Sequence, residues 1–206
     1  MTPFTIVQGP AVPLLIDNVD TDVVIRIDRL VDFPREELGP YTLESIRNGA
    51  DGAPDPVCPL NKPEFHNAPI LIATNNFGCG SSREGAVWAL QALGVRCVIA
   101  VSFGDIFFSN CFQNGVLAIR LPESDVEALA EQAATARDFV VDLPRSIITT
   151  PDHVSHPFAV QHLLREGLIQ GLDPIGLTLK RVGSIQLWES REAEVRPWNV
   201  LAARAR

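Results

Sequence analysis

The chain has 206 residues, of which 46% are hydrophobic and 20% charged, so it is long enough to bury a sizeable core within one domain. Its formal net charge of −8 at pH 7 argues against a nucleic-acid-binding surface, which needs a basic patch. No apolar run approaches the roughly 18 residues that span a bilayer, and no charged-then-apolar leader stands at the N-terminus, so the expected location is the cytoplasm.

The cysteines show neither CxxC spacing nor neighbouring histidines; they are Cys58, Cys79, Cys97 and Cys111. In a reducing compartment, cysteines of this kind are typically buried thiols. An iron–sulfur cluster would require three cysteines at suitable spacing, and the sequence offers no such set. We therefore expect this chain to bind no metal and no cofactor by itself.

The first third of the chain predicts strands, a turn and a long loop. Residues 4–7 and 12–16 are typical of two short strands, and Pro13 in the second favours a sheet edge. Residues 17–22 form a polar, acidic turn. Residues 32–68 contain many prolines and glycines, so we interpret them as a long mobile loop within a single domain over 1–206.

The rest of the chain alternates apolar runs with helical patterns, which predicts an α/β fold. The expected elements are a strand over 69–74, a helix over 85–93, a strand over 96–101, a helix over 105–113, a strand over 116–121, a helix over 124–136, a hairpin of 139–142 and 146–149, and a helix over 158–170 that stops at Gly171.

The most informative segment is residues 75–84, which link a predicted strand to a predicted helix. Such a turn places backbone N–H groups and the positive end of a helix dipole at one spot, which favours an anion. It matches neither a P-loop, since no lysine is near, nor a dinucleotide fingerprint, since Arg83 replaces the third glycine. The hydroxyls of Ser81 and Ser82 with the Arg83 guanidinium indicate a carboxylate site. The alternative is a tight turn whose serines only cap the helix.

Four separated motifs resemble the swivelling domain of the aconitase superfamily, and in particular its isopropylmalate dehydratase small-subunit family. They are residues 18–22, residues 77–84, residues 98–107 followed by Asn110 and Asn114, and residues 171–179. The similarity runs in the right order from about residue 5 to about residue 182. It implies a swivelling β/β/α domain, in agreement with the α/β prediction.

The resemblance also implies roles for individual residues. Ser81 matches the family's catalytic base, and Ser82 and Arg83 match contacts to the substrate carboxylate. Residues 18–22 match the N-terminal motif of the family. In related enzymes an arginine after this motif contacts the substrate, and Arg29 is the nearest match in register. Six further positions are expected to shape the site, as turn, capping or close-packing groups: Asp20, Thr21, Asp22, Gly78, Cys79 and Gly80.

The reaction implied by the resemblance removes a proton alpha to a carboxylate and expels hydroxyl from the neighbouring carbon. The leaving hydroxyl needs a Lewis acid, and the resemblance places that group, a [4Fe–4S] cluster, on a separate large subunit. The implied partners are therefore this large subunit and a small hydroxy-dicarboxylic acid. Neither nucleic acid nor a membrane is expected as a partner.

Two positions depart from the family pattern. The usual histidine after the Ser-Ser-Arg-Glu sequence is Gly85 here, and the usual proline after the N-terminal motif is Arg26. These departures leave open another malate-type substrate, such as methylmalate, dimethylmalate, citraconate or a homocitrate-type acid. A non-catalytic module that binds dicarboxylates is a third possibility, which the intact glycine-rich segment disfavours. In an acidic chain, positive potential for an acid must come from local groups such as Arg83, Arg26 and Arg29.

Overall fold

A mixed β-sheet organises the computed structural model, which describes residues 1–81 and 83–199. In chain order the strands are β1 (Ile6–Leu14), β2 (Ile70–Ala73), β3 (Cys97–Ala100), β4 (Leu117–Arg120), β5 (Asp138–Asp142), β6 (Ile147–Thr149) and β7 (Ser155–Pro157). Their order across the sheet is β4-β3-β2-β1-β5-β6-β7. Strands β1 to β4 pair in parallel and β5 to β7 extend the other side in antiparallel fashion. The predicted α/β architecture is confirmed.

Strand β1 joins the parallel and antiparallel halves of the sheet. Its residues 11–14 pair with β2, whereas residues 6–10 pair with β5. The prediction of two short strands, the second at an edge, is wrong, because this is one strand of nine residues near the middle of the sheet. Pro13 is tolerated because residues 11–14 pair with β2 only. On the other side of the strand no hydrogen bond needs the N–H that proline lacks.

Within the described residues the helices are α1 (Thr21–Val24), α2 (Ile27–Asp32), α3 (Glu44–Arg47), α4 (Gly85–Ala92), α5 (Asp105–Asn114), α6 (Glu123–Ala133), α7 (His162–Gln170), α8 (Pro174–Leu179) and α9 (Val182–Val195). Helices α5 and α6 pack directly against strands of this sheet. Every residue of β2 and β3 is buried, as expected for parallel strands covered on both faces. None of the helices in the described part of the chain has the length and apolar character needed to cross a bilayer.

Most of the predicted elements between residues 69 and 149 are confirmed to within a few residues. The helix predicted over 158–170 begins only at His162, because the chain before it forms the edge strand β7. The pairing of β7 with β6 is continued by Phe158, whose N–H donates to the Ser146 carbonyl at 3.0 Å. Gly171 ends the helix in a left-handed conformation, as predicted.

Residues 32–68, predicted as a long loop, instead form a chain of short helical turns. Besides α3, these are the 3₁₀ turns Arg35–Glu37, Gly39–Tyr41, Pro59–Asn61 and Pro63–Phe65. The prolines that suggested a loop occupy the first positions of several of these turns, where a fixed φ favours helical geometry. Mobility stays a prediction, and residues 49–57 are the part that is exposed almost throughout.

The first half of this segment packs into the core. Leu38 and Leu43 are almost completely buried, and the buried Thr42 hydroxyl lies 2.8 Å from the Ala89 carbonyl of α4. These contacts hold the segment against α4. Such burial depends on tertiary packing, which the composition of the segment does not reveal.

The loops that follow β1, β2 and β3 meet at one edge of the sheet, since the carboxyl ends of parallel strands lie together. We call residues 18–21, 75–80 and 102–104 the loop junction. The Gly78 N–H donates to the Val19 carbonyl at 2.7 Å, and the Thr21 N–H donates to the Cys79 carbonyl at 2.9 Å. Two further backbone bonds, both of 3.0 Å, link Phe77 to the third loop: its N–H donates to Ser102 and its carbonyl accepts from Gly104.

Gly78 is a residue at which the loop junction requires glycine. Its φ is +71°, and a Cβ there would lie 2.5 to 2.7 Å from ring carbons of Phe107. That ring packs edge-on against Phe77 with centroids 5.5 Å apart. A side chain at position 78 would therefore be strained by the left-handed backbone and would clash with the Phe107 ring, which is packed against Phe77.

We predict that Leu38→Ala lowers the free energy of unfolding by about 2–5 kcal/mol, because it removes a buried side chain from the core. Val31→Ala, at a neighbouring site that is 78% exposed, should change it by less than about 0.5 kcal/mol. Urea denaturation followed by circular dichroism measures both. If Leu38→Ala were as neutral as Val31→Ala, the segment would be a surface loop after all.

Gly78→Ala should destabilise the protein by about 3 kcal/mol, from the left-handed backbone and from overpacking against Phe107. Gly52→Ala is the matched control, because Gly52 has a φ of +79° but a Cβ there meets no atom within 4 Å. The control should lose only about 1–2 kcal/mol. Equal losses in thermal or urea unfolding would show that the Phe107 contact is not limiting.

Candidate active site

The candidate site lies on the turn between β2 and α4, directly after the loop junction. Ser81 is exposed, and its carbonyl accepts hydrogen bonds from the Thr21 hydroxyl at 3.2 Å and from the Arg83 N–H at 2.9 Å. The backbone of Ser81 is thus held from both sides while its side chain remains accessible. Ser82 lies outside the described residues, so its predicted contact with substrate stays a prediction.

Arg83 connects the serine to the N-terminal motif. Its Nη2 atom lies 3.4 Å from the Ser81 hydroxyl oxygen and 3.4 Å from the Oδ2 atom of Asp22, and its Nη1 atom contacts Oδ1 of Asp22. The guanidinium side chain is 28% exposed and the carboxylate side chain 53% exposed. The structure therefore brings together three predicted site residues, Ser81, Arg83 and Asp22, although Asp22 and Arg83 are 61 residues apart in sequence.

The other members of the N-terminal motif support this arrangement. Asp20 caps α1, its Oδ1 accepting the Val23 N–H at 2.7 Å, which is the capping role that the sequence indicated. Thr21 is buried and bonds to the Ser81 carbonyl. Gly80, with a φ of +90°, passes close to Asp20, since a Cβ there would lie 3.4 Å from the aspartate Cβ.

The cysteines are buried with one exception. Cys58, Cys97 and Cys111 are buried as predicted, whereas Cys79 is only partly buried and lies with its Sγ 3.6 Å from the Asn18 carbonyl oxygen. Cys79 departs from the prediction because it sits in the loop junction at the rim of the sheet. Burial raises the pKa of the Cys97 and Cys111 thiols, so both stay protonated.

The described residues do not fit an iron–sulfur cluster. Cluster iron is held by several cysteine thiolates, and two of the four thiols here are kept protonated by burial. No group of three or more metal-binding side chains comes together anywhere in the described part of the chain.

Gly85, which replaces the usual histidine of the family pattern, is the first residue of α4. A Cβ at this position would lie 2.5 and 2.7 Å from the methyl carbons of Leu30 in α2, so the leucine occupies the space that a side chain would need. The preceding Glu84 accepts a hydrogen bond from the Asn114 side chain at 3.2 Å, which ties the start of α4 to α5. The contact between Leu30 and Gly85 was missed by the sequence analysis, because no local pattern signals it.

Arg29 is not directed at Ser81 in this structure. Its Nε and Nη2 atoms donate to the two carboxylate oxygens of Glu44, both at 3.2 Å, and its guanidinium lies 4.6 Å from the Tyr41 ring centroid. The bond to Glu44 raises the pKa of Arg29 above its ordinary value. The predicted contact between Arg29 and substrate stays a prediction, and it requires this pair to separate.

Arg26 is paired in the same way. Its Nε and Nη2 atoms donate to the Asp28 carboxylate at 3.1 and 2.9 Å, and this hydrogen bond holds the pKa of Asp28 below its usual value. Arg26 and Arg29 line an open surface depression together with Glu44 and residues 48–50. Ser81 and Arg83 are not part of its lining. The pair Arg26 and Arg29 and the turn that carries Ser81 and Arg83, here called the serine turn, are therefore two separate features.

The family model described as the aconitase C-terminal domain matches residues 1–124. The 3-isopropylmalate dehydratase small subunit of Rhodospirillum centenum is 49% identical over 96% of this chain and 98% of its own length. The corresponding proteins of Rhizobium meliloti and Brucella anthropi are 46% and 45% identical over 96% of this chain and 100% of theirs.

A solved structure agrees with these relatives. The crystal structure of 3-isopropylmalate dehydratase from Methanocaldococcus jannaschii superposes with a TM-score of 0.62 at 25% identity, covering 91% of this chain and 99% of that one. The predicted swivelling-domain fold class is confirmed by this match and by the family model. The chain therefore belongs to the 3-isopropylmalate dehydratase small-subunit family of the aconitase superfamily.

Proposed function

We propose that this chain is the small subunit of a hydro-lyase that interconverts 2-isopropylmalate and 3-isopropylmalate by dehydration and rehydration, in leucine biosynthesis. Family membership along nearly the whole chain supports the reaction class. The observation that carries the proposal is an accessible serine hydroxyl beside a guanidinium, with Ser81 Oγ 3.4 Å from Arg83 Nη2. This pair provides what proton removal next to a carboxylate needs, a proton acceptor and a carboxylate-binding cation.

Arg83 binds the substrate carboxylate in this proposal. A guanidinium offers parallel N–H donors that match a carboxylate bidentately, and the pair is stronger than a neutral hydrogen bond. Loss of the alpha proton spreads negative charge onto that carboxylate, so donors already aimed at it stabilise the transition state more than the ground state. Ser82 would add a further contact on the same turn.

Ser81 removes the alpha proton. A serine hydroxyl is a very weak acid, so its alkoxide needs a strong positive environment. Arg83 lies within 3.4 Å of the hydroxyl, and the N-terminal end of α4 follows four residues later with the positive end of its dipole. The hydrogen bonds that the Ser81 carbonyl accepts from the Thr21 hydroxyl and from the Arg83 N–H keep the Ser81 hydroxyl in this field. On rehydration the same hydroxyl returns the proton.

Expulsion of the substrate hydroxyl needs a Lewis acid, which we assign to a [4Fe–4S] cluster on the large subunit. This chain contributes the base and the carboxylate contacts, and the exposed side of Ser81 is where the two subunits complete the site. We propose that neither subunit is active alone. The free thiols of this chain support a cytoplasmic, reducing location.

Among malate-type acids we infer a substrate with an apolar substituent, on the premise that this substituent is directed toward Gly85. The side chain that fills the space beside Gly85 is the hydrocarbon of Leu30, which offers no polar partner for a further carboxylate or hydroxyl. An isopropyl group fits such a neighbour better than the additional carboxylate of a homocitrate-type acid, because a buried charge without a partner is costly. Methylmalate, dimethylmalate and citraconate are the alternatives, and the kcat/KM values measured with these acids in competition decide among them.

We predict that Ser81→Ala lowers kcat by at least about 10³-fold in the enzyme reconstituted with its large subunit, because the general base is lost. Turnover is measured from isopropylmalate by the ultraviolet absorbance of the unsaturated diacid. Ser155→Ala, at an exposed serine on β7, should retain full activity. Gel filtration should show both variants in complex with the large subunit, and undiminished turnover in Ser81→Ala would refute the base assignment.

A further inference from the structure

The cation assigned to the substrate is already occupied by a carboxylate of this chain. Both terminal nitrogens of the Arg83 guanidinium contact Asp22, one at Oδ1 and the other at Oδ2. This is the two-point geometry with which an arginine binds any carboxylate. The same Nη2 atom also faces the Ser81 hydroxyl, so the Asp22 carboxylate lies where an acid bound to Arg83 would lie.

Asp22 is placed there by the anchoring of α1. Asp20 caps this short helix, and the backbone N–H of the buried Thr21 is bonded to Cys79 in the loop junction. The next residue, Asp22, is then held opposite Arg83 with 53% of its side chain exposed. An ion pair this open to water is weak. It can therefore exchange with another carboxylate at little cost.

The substrate carboxylate can form a two-point contact with the Arg83 guanidinium only if Asp22 leaves, for electrostatic reasons. The chain carries a net charge of −8, and Asp22 adds a negative charge directly at the binding cation. A dicarboxylate that approaches Arg83 is repelled by Asp22 as long as the two remain paired. Once Asp22 leaves, one carboxylate replaces another on the same donors, and the number of bonds to Arg83 is conserved.

We propose that Asp22 is an internal stand-in for the substrate carboxylate. In the empty site it holds Arg83 beside Ser81, and it is displaced from the guanidinium when the substrate binds. The inference rests on the proposed function for the identity of the substrate, but the exchange itself concerns residues of this chain alone. It adds a competing anion to the site, so affinity for the acid is set partly by Asp22.

The first test uses the enzyme reconstituted with its large subunit. Asp22→Asn keeps the shape of the side chain and removes the competing charge. The KM for isopropylmalate should therefore fall by about 3- to 10-fold with kcat within about twofold, in line with the energy of one close charge pair. Asp152→Asn is the matched control, because Asp152 pairs with Arg137 at similar exposure on another surface. An unchanged or raised KM, or a kcat lowered more than about twofold, would overturn the proposal and make Asp22 a fixed support of Arg83.

The second test needs no turnover. The isolated chain with ¹⁵N-labelled arginine is titrated with malate, and the Nε–H resonance of Arg83, assigned by its loss in Arg83→Lys, is followed by NMR. Malate should shift this resonance at several-fold lower concentration in Asp22→Asn than in the wild type or Asp152→Asn. Equal midpoints would refute the stand-in role even if the reconstituted enzyme is active. A lower midpoint in an enzyme that does not convert isopropylmalate would support the exchange and refute the proposed function instead.

Discussion

The site depends on the backbone hydrogen bonds of the loop junction. Residues 77–79 pass between the loops that follow β1 and β3 and are bonded to both, by Gly78 and Cys79 on one side and by Phe77 on the other. This places Ser81 next to Thr21 although 60 residues separate them. Backbone groups rather than long side chains make these bonds, so the position of the serine turn is fixed with little loss of side-chain entropy.

The three arginines expected to supply positive potential for an acid are each paired with a carboxylate. Arg83 is paired with Asp22, Arg29 with Glu44 and Arg26 with Asp28. An acidic protein that binds an acid needs cationic side chains in fixed positions. Exposed cations without a partner are less ordered and can bind unrelated anions. The pairs keep the guanidinium groups oriented. In the proposed exchange only Arg83 changes its partner, from the Asp22 carboxylate to that of the substrate.

The sequence predicted the elements whose signals are local. The buried runs of β2 and β3 and the glycine-rich turn after residue 74 carry their patterns within a few residues, and the structure places them accordingly. Strand β1 was divided in error, because its two halves pair with partners that are distant from each other in sequence. The turns of residues 32–68 were missed for a related reason, since the burial of Leu38 against other elements decides their conformation and prolines alone suggest a loop.

In the candidate site, the residues of the serine turn were found from a motif, while their long-range contacts were not. The pairing of Arg83 with Asp22 and the contact of Leu30 with Gly85 both join separate segments. The second contact connects the two departures from the family pattern. Arg26 immediately precedes α2 and Leu30 lies within it, so the departure at position 26 adjoins the helix whose Leu30 side chain fills the space beside Gly85. The glycine-rich turn itself keeps the family pattern up to Glu84, so the departures of this chain lie beside the turn that holds the serine and not within it.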